Sequence, residues 1–219
     1  MRTKYHEQLD EYDRTLVAMA QLVRTAMLRA TDALLTSDLA LAESVISDDR
    51  GIDLLYADLE ARSLQLVALQ APVATDLRGL ISGLSILASL ERMGDLAVHL
   101  AKLARLRYPN SAVPPELHGV IRDMSGVADR IVVRTAEVLA TRDVPGALDL
   151  AVIDDEMDRL HSDLFKTVLA PTWPYGVESA VDLTLVSRYY ERYADHAVTI
   201  GKRVVQIVTG EPYNSATFR

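Results

Sequence analysis

A twelve-residue segment occurs twice in this chain, 100 residues apart. It reads ERMGDLAVHLAK at 91 and ERYADHAVTIGK at 191. The similarity extends outward, because TSDLALA at 36–42 resembles TRDVPGA at 141–147 and several aspartates recur at an offset of 105. A unit of about 105 residues is too long for a solenoid repeat and suits a duplicated bundle. We therefore predict two copies of one folding unit, at 1–108 and 113–210.

Apolar residues in both copies recur every three or four positions, as a helix requires. In the first helix they are Leu16, Met19, Val23, Met27, Ala30 and Leu34. No segment alternates apolar and polar residues or is enriched in Val, Ile and Thr as a strand is. Aromatic residues are only 5 % of the chain, which also favours helices. The predicted fold is all-α, with two tandem three-helix bundles.

Caps and breakers set the predicted helix boundaries. Ser37-Asp38 offers a cap, followed by a short helix and then a longer one that runs to about Leu69, before Pro72. The third helix is predicted at about 75–107, and TyrProAsnSer with Pro114-Pro115 links the copies. The second copy repeats the plan at about 115–141, 147–170 and 179–209. Gly210 and Pro212 then end the last helix.

Charge and composition exclude several classes of protein. The net charge of −8 argues against a nucleic-acid partner, which needs clustered Lys and Arg. The absence of cysteine leaves any metal site to oxygen and nitrogen ligands. The N-terminus is charged and does not resemble a signal peptide. The longest apolar run, at 79–90, is too short for a membrane span. A cytoplasmic protein without a transmembrane segment is expected.

Each copy of the motif contains two carboxylates four residues apart, which share one helix face. The preceding helix of each copy carries a similar pair. Like charges at this spacing repel by roughly 0.2–0.5 kcal/mol, and a hard cation would offset the repulsion. We predict metal sites that could hold Mg²⁺, Ca²⁺, Mn²⁺ or iron. The predicted ligands are Asp49, Asp53, Glu91 and Asp95 in the first half, and Asp154, Asp158, Glu191 and Asp195 in the second.

The main alternative is an inherited network of structural ion pairs, in which nearby basic residues balance the carboxylates. Those residues are Arg92, Arg192, Lys102 and Lys202. Common ancestry of the two copies would preserve such a network as readily as a metal site. The repetition therefore leaves both interpretations open.

The histidines and Arg78 add little to this pattern of paired carboxylates. His99 lies one turn after Asp95 and could be an additional ligand, whereas His196 points about 100° away from its neighbouring carboxylate. The remaining histidines are expected at the surface: His6, His118 and His161. Arg78 could form a pair at the start of its helix or bind a carboxylate or phosphate group.

Signatures of enzymes do not occur in the chain. There is no Glu-x-x-His of a di-iron bundle, no Walker A loop and no Gly-x-Ser-x-Gly. The sequence predicts a protein that is not an enzyme.

The two motifs, together with ALQAPVATDLR at 68–78, resemble those of the PhoU family of phosphate-signalling regulators. The family pattern is close to ERxGDHAxNIAE. The first copy departs from it at Leu96 and His99, and the second at Ala194 and Thr199, while both retain the carboxylates.

The resemblance implies two three-helix bundles, metal clusters on the acidic motifs and a homodimer. The metal could be iron, magnesium, manganese or zinc. It also implies an adaptor between the ATP-binding subunit of a phosphate ABC transporter and a sensor histidine kinase, peripherally associated with membrane complexes. Such an adaptor is a negative regulator of phosphate uptake and starvation signalling. The alternative function is a carboxylate-bridged metal-binding or metal-storage bundle.

Overall fold

A computed structural model of the chain describes residues 2–211. Within that range the chain forms six α-helices and a short 3-10 turn, Pro115–Leu117, and it contains no strand. The helices are α1 Arg2–Thr36, α2 Leu39–Gln70, α3 Ala74–Arg107, α4 His118–Thr141, α5 Val144–Val168 and α6 Gly176–Thr209. The all-α prediction of two three-helix bundles is confirmed.

The helix ends follow the local signals in the sequence. The Asp38 side chain accepts a hydrogen bond from the Leu41 amide at 2.9 Å, so it caps α2 as predicted. At the other end, α2 stops at Gln70, two residues before Pro72. Gly210 ends α6 with a φ of +76°, and its amide donates to the Gln206 carbonyl at 3.0 Å. Pro212, the other predicted stop signal, lies outside the described residues.

The prediction of a short helix followed by a longer one after Asp38 is wrong. α2 is one continuous helix of 32 residues that includes Gly51. Its buried residues Val45, Ile52, Leu59 and Leu66 recur every seven positions and keep one face packed along its whole length. Their packing offsets the helix-forming penalty of Gly51, which is about 1 kcal/mol relative to alanine.

The halves pack against each other with antiparallel helices. Arg24 of α1 bonds Asp129 of α4, and Arg142 just after α4 reaches back to Asp13. Near the end of α3, Arg107 bonds Asp182, which lies near the start of α6. The repeat therefore has approximate twofold symmetry, with α1 and α4 forming one central pair and α3 and α6 the other.

One apolar core runs through both halves, and residues from all six helices contribute to it. Its centre includes two fully buried tyrosines, Tyr190 and Tyr193. The boundaries at 1–108 and 113–210 stay a prediction, since a shared core gives no separate edge to each half. Across residues 2–211, none of the helices combines the length and the apolar character needed to span a bilayer.

Candidate metal centres on the acidic motifs

The first acidic motif lies where α2 and α3 approach each other closely. Gly94 sits within the motif, between Glu91 and Asp95. A Cβ atom at Gly94 would lie 3.3 Å from Asp49 Oδ1 and 3.1 Å from Ile52 Cδ1. The bare glycine therefore lets Asp49 of α2 approach α3 within the motif that contains Glu91 and Asp95.

The four predicted carboxylates of the first half act on one another electrostatically. Burial raises the pKa of Asp49 to about 6, with further increases from Asp53 and Asp95, while Lys102 opposes the change. Burial also raises the pKa of Glu91, followed by repulsion from Asp95. Both shifts arise first from burial and then from the neighbouring carboxylates.

The second half has an equivalent cluster between α5 and α6. Burial raises the pKa of Asp154 to about 7, and the next largest causes are the charges of Asp158 and Asp195. The pKa values of Asp158 and Glu191 are also raised, first by burial and then by Asp195. The charges of all four predicted residues of this half therefore influence one another.

Two carboxylate oxygens in the second cluster are buried and accept no hydrogen bond from the described residues: Asp154 Oδ1 and Glu191 Oε2. Burying an acceptor without a partner costs about 1–3 kcal/mol, and more for a charged group. A cation would satisfy these oxygens, and an all-oxygen donor set fits a hard metal ion.

As they stand, no three Asp, Glu or His side chains in residues 2–211 are arranged to hold a metal ion. Binding at either cluster would therefore require carboxylates to rotate. Metal ligation by these eight residues stays a prediction.

Arginines of the motif helices pair with some of the predicted ligands. Arg92 Nη1 lies 2.8 Å from Asp95 Oδ2, and its Nε lies 3.5 Å from Glu91 Oε2. Arg188, one turn before the second motif, pairs with Glu191 Oε1. These contacts are what the ion-pair alternative predicts, although they leave the buried oxygens of Asp154 and Glu191 without a partner.

His99 lies on the α6 side of α3, where its ring stacks on Tyr189 with 5.2 Å between centroids. It is exposed, and it shares a cleft with Asp95. His196 is half-buried, and burial followed by the charge of Arg192 lowers its pKa. Neither histidine is placed among the carboxylates of α2 or α5.

One residue beside the second cluster was not predicted from the sequence. His161 is partly buried rather than at the surface, its Nδ1 lies 2.9 Å from Ser187 Oγ, and its charge lowers the pKa values of Asp158 and Glu191. Its position one turn after Asp158 was a signal that could have revealed it. The equivalent residue in the first half is Tyr56.

Arg78 makes a local contact at the start of α3. Its Nη2 donates to Thr75 Oγ1 at 3.0 Å, which is a hydrogen bond to an uncharged hydroxyl rather than the charge pair expected at this helix start. Of the other two histidines, His6 is exposed, and His118 lies 3.1 Å from the Val113 carbonyl.

Fold and site together define a class of protein: an internally duplicated helical bundle that carries a carboxylate cluster on the third helix of each half. The chain belongs to the PhoU family, because the model of the PhoU domain matches residues 16–104 and 121–204. The resemblance noted in the motifs is thereby confirmed.

The similarity between this chain and known proteins covers nearly its full length. It is 47% identical to the phosphate-specific transport system accessory protein PhoU homolog 2 of Mycobacterium tuberculosis, over 96% of this chain and 99% of that protein. PhoU homolog 1 of Mycobacterium leprae is 45% identical, with coverage of 96% and 95%.

The fold is similar to a crystal structure of the phosphate transport system regulatory protein PhoU from Streptococcus pneumoniae. The two share 25% sequence identity with a TM-score of 0.86, over 96% of this chain and 99% of that one. PhoU from Pseudomonas aeruginosa gives a TM-score of 0.84 at 26% identity, over 94% and 100% of the chains.

Proposed function

We propose that this protein is a non-enzymatic adaptor that regulates phosphate uptake. In this proposal it contacts the ATP-binding subunit of a phosphate ABC transporter and a sensor histidine kinase, and it keeps phosphate-starvation signalling off when phosphate is plentiful. Its relatives are named as accessory proteins of phosphate-specific transport systems, which supports the transporter as one partner.

The observation that carries the proposal is a pair of exposed apolar surfaces at the starts of α3 and α6. Val73 and Val177 are 75% and 81% exposed, and Ile81 and Val181 lie one to two turns further along their helices. Exposed apolar residues that cluster together typically mark protein contacts. We call these two surfaces the α3 tip (Leu69, Val73, Leu77, Ile81) and the α6 tip (Leu169, Val177, Val181, Leu185).

The two tips lie at opposite ends of the molecule. α3 and α6 are antiparallel, because Arg107 at the end of α3 bonds Asp182 at the start of α6, while Arg78 lies beside Gly210. A helix of 34 residues is about 50 Å long, which separates the tips by a similar distance. Two equivalent docking surfaces that far apart suit a protein that contacts two partners at once.

A genetic experiment tests the adaptor function. Deletion of the gene, together with any redundant paralogue, is expected to leave phosphate-starvation genes expressed in rich phosphate. Complementation with Ile81→Glu or Val181→Glu should fail to restore repression, because a charge on a tip opposes apolar docking. Val152→Glu is the control, since Val152 is even more exposed, at 70%, but lies on α5 outside both tips. A reporter that stays repressed in the deletion strain contradicts the adaptor function.

We further propose that the protein is cytoplasmic, associates peripherally with membrane complexes and forms a homodimer. Family membership supports these three statements. Sedimentation equilibrium of the purified protein tests the dimer, and fractionation of cells with and without the transporter tests the peripheral association.

The carboxylate clusters are proposed to bind iron, magnesium, manganese or zinc. The residues that would hold the metal ions are Asp49, Asp53, Glu91 and Asp95 in one half and Asp154, Asp158, Glu191 and Asp195 in the other, with His99 as an additional candidate. A bound cation supplies positive charge to these acidic surfaces and would change how they meet a partner.

A metal-storage protein is the second candidate function, because the buried unpaired oxygens of Asp154 and Glu191 support metal binding in either role. The two functions differ in how much metal binds and whether it is released. A store takes up iron well beyond the ligand count and, when Fe²⁺ and dioxygen are added, oxidises the Fe²⁺ with turnover at the expense of the dioxygen, whereas an adaptor binds a fixed number of ions.

A further inference from the structure

A cleft of about 300 Å³ lies between α3 and α6, beside the approximate twofold axis. It is lined by Arg92, Asp95, Leu96 and His99 from α3 and by Arg188, Tyr189, Arg192 and His196 from α6. Three guanidiniums, two imidazoles and a single carboxylate therefore face one small volume. This cleft has the opposite charge character to the acidic clusters on either side of it.

The three arginines differ in how far their charges are already balanced. Arg92 pairs with Asp95 and Glu91, and Arg188 pairs with Glu191. Arg192 is exposed and forms no ion pair within residues 2–211. The positive charge of Arg192 thus remains available to a ligand in the cleft.

The repeat explains why these cations converge. Arg92 and Arg192 occupy the same position in the two motif copies, and antiparallel packing of α3 and α6 brings them to the cleft from opposite sides. Tyr189 stacks on His99 and closes part of one wall. A guanidinium offers parallel N–H donors that match the oxygens of phosphate-like groups, and opposed guanidiniums can bind one such group from two sides.

We propose that this cleft binds a small tetrahedral oxyanion of the phosphate and sulfate class, held chiefly by Arg192 with Arg92 and Arg188 as additional donors. The site is independent of the adaptor role, because it requires neither partner. The anion competes with Asp95 and Glu191 for two of the three guanidiniums. Binding is therefore expected to be tighter when those carboxylates engage a cation instead.

Isothermal titration calorimetry of the full chain with inorganic phosphate tests the site. Sulfate and chloride at matched ionic strength separate oxyanion binding from charge screening. We expect heat from phosphate and sulfate but not from chloride. Arg192→Gln should weaken phosphate binding at least tenfold. Arg122→Gln is the matched control, because Arg122 is exposed on α4 and does not line the cleft.

Three results would overturn the proposal: no binding of either oxyanion, an equal response to chloride, or an equal loss in the two arginine variants. A peptide carrying phosphoserine distinguishes a free anion from a phosphorylated partner. Tighter binding of that peptide than of inorganic phosphate would overturn the assignment to a free ion. The circular dichroism spectra of both variants should match that of the unmodified protein, since both side chains are exposed.

Discussion

The Tyr190 hydroxyl lies 2.6 Å from the Thr31 hydroxyl, deep in the core, where the tyrosine side chain reaches from α6 to α1. Thr31 uses its own proton to bond the Met27 carbonyl at 2.8 Å, so the proton between the two hydroxyls belongs to Tyr190. Burial raises the pKa of Tyr190 above its usual range, which keeps that proton in place. This bond joins residues 159 positions apart and ties the first half to the second.

Replacing Tyr190 with phenylalanine is expected to lower the free energy of unfolding by about 1 kcal/mol. The variant removes one buried hydrogen bond but leaves Thr31 with a partner, so the cost stays near that of a single bond. Urea denaturation measures it. Tyr108→Phe is the control, because the Tyr108 side chain is exposed and its loss of a hydroxyl should change little. Equal effects of the two variants would contradict the role of the buried bond.

Gly201 permits the close approach of α5 and α6. A Cβ atom there would lie 3.0 Å from the Ala147 carbonyl oxygen and 2.9 Å from Leu150 Cδ1. Gly201→Ala should therefore destabilise the protein by about 1–3 kcal/mol, as overpacking does, because the backbone oxygen cannot move aside easily. Thermal unfolding followed by circular dichroism is the measurement.

The matched control for that variant is Gly79→Ala, also within a long helix. Nothing lies within 4 Å of a Cβ added at Gly79. Alanine there should raise the stability by about 0.5–1 kcal/mol through helix propensity alone. Effects of opposite sign at the two glycines are the expected outcome, and the same sign at both would rule out the close-approach explanation.

Asp154 should make the metal-free protein less stable as the pH rises. Its pKa is about 7 when folded and 3.8 as an ordinary aspartate. Between those values the folded chain keeps a proton that the unfolded chain has lost. The free energy of unfolding therefore falls from about pH 4 to about pH 7.

Asp154→Asn removes this dependence, so the variant should exceed the unmodified protein in melting temperature near pH 8 and match it near pH 4. The comparison is made in chelator, with Asp163→Asn as the exposed control on the same helix. A melting-temperature difference that is constant with pH would show that Asp154 titrates normally.

Removal of motif carboxylates should reduce the metal content. The double variant Glu91→Ala with Asp95→Ala is expected to lose the metal of the first half while the second half retains its own. Elemental analysis after reconstitution with iron or manganese measures the loss. Glu7→Ala with Glu11→Ala is the control, since this pair has the same spacing but lies outside the motifs. Unchanged metal in the motif variant would remove these residues from the ligand set.

The sequence predicted the ends of the helices well, because capping residues and helix-breaking residues act within a few residues of a helix end. The Asp38 cap, the end of α2 before Pro72 and the end of α6 at Gly210 are all local effects. The continuity of α2 through Gly51 was missed, since it depends on packing of residues such as Ile52 against other helices.

The acidic clusters were also predictable, because spacing of four and internal repetition place each pair on one face. Their surroundings were not. The contact of His161 with Ser187 and the convergence of Arg92 with Arg192 depend on the register between neighbouring helices, which no single segment encodes. The antiparallel pairing of α3 with α6 is the geometric fact that the sequence left undetermined.

That pairing also bears on how the two halves can evolve. Two identical subunits joined along a twofold axis must place the same side chain on both sides of it. Fusion into one chain lifts this restriction, so Leu96 can stand where the other copy has His196, and His99 where the other has Thr199. Two halves joined in one chain can therefore diverge independently. A surface that began with two identical sides can in this way become asymmetric.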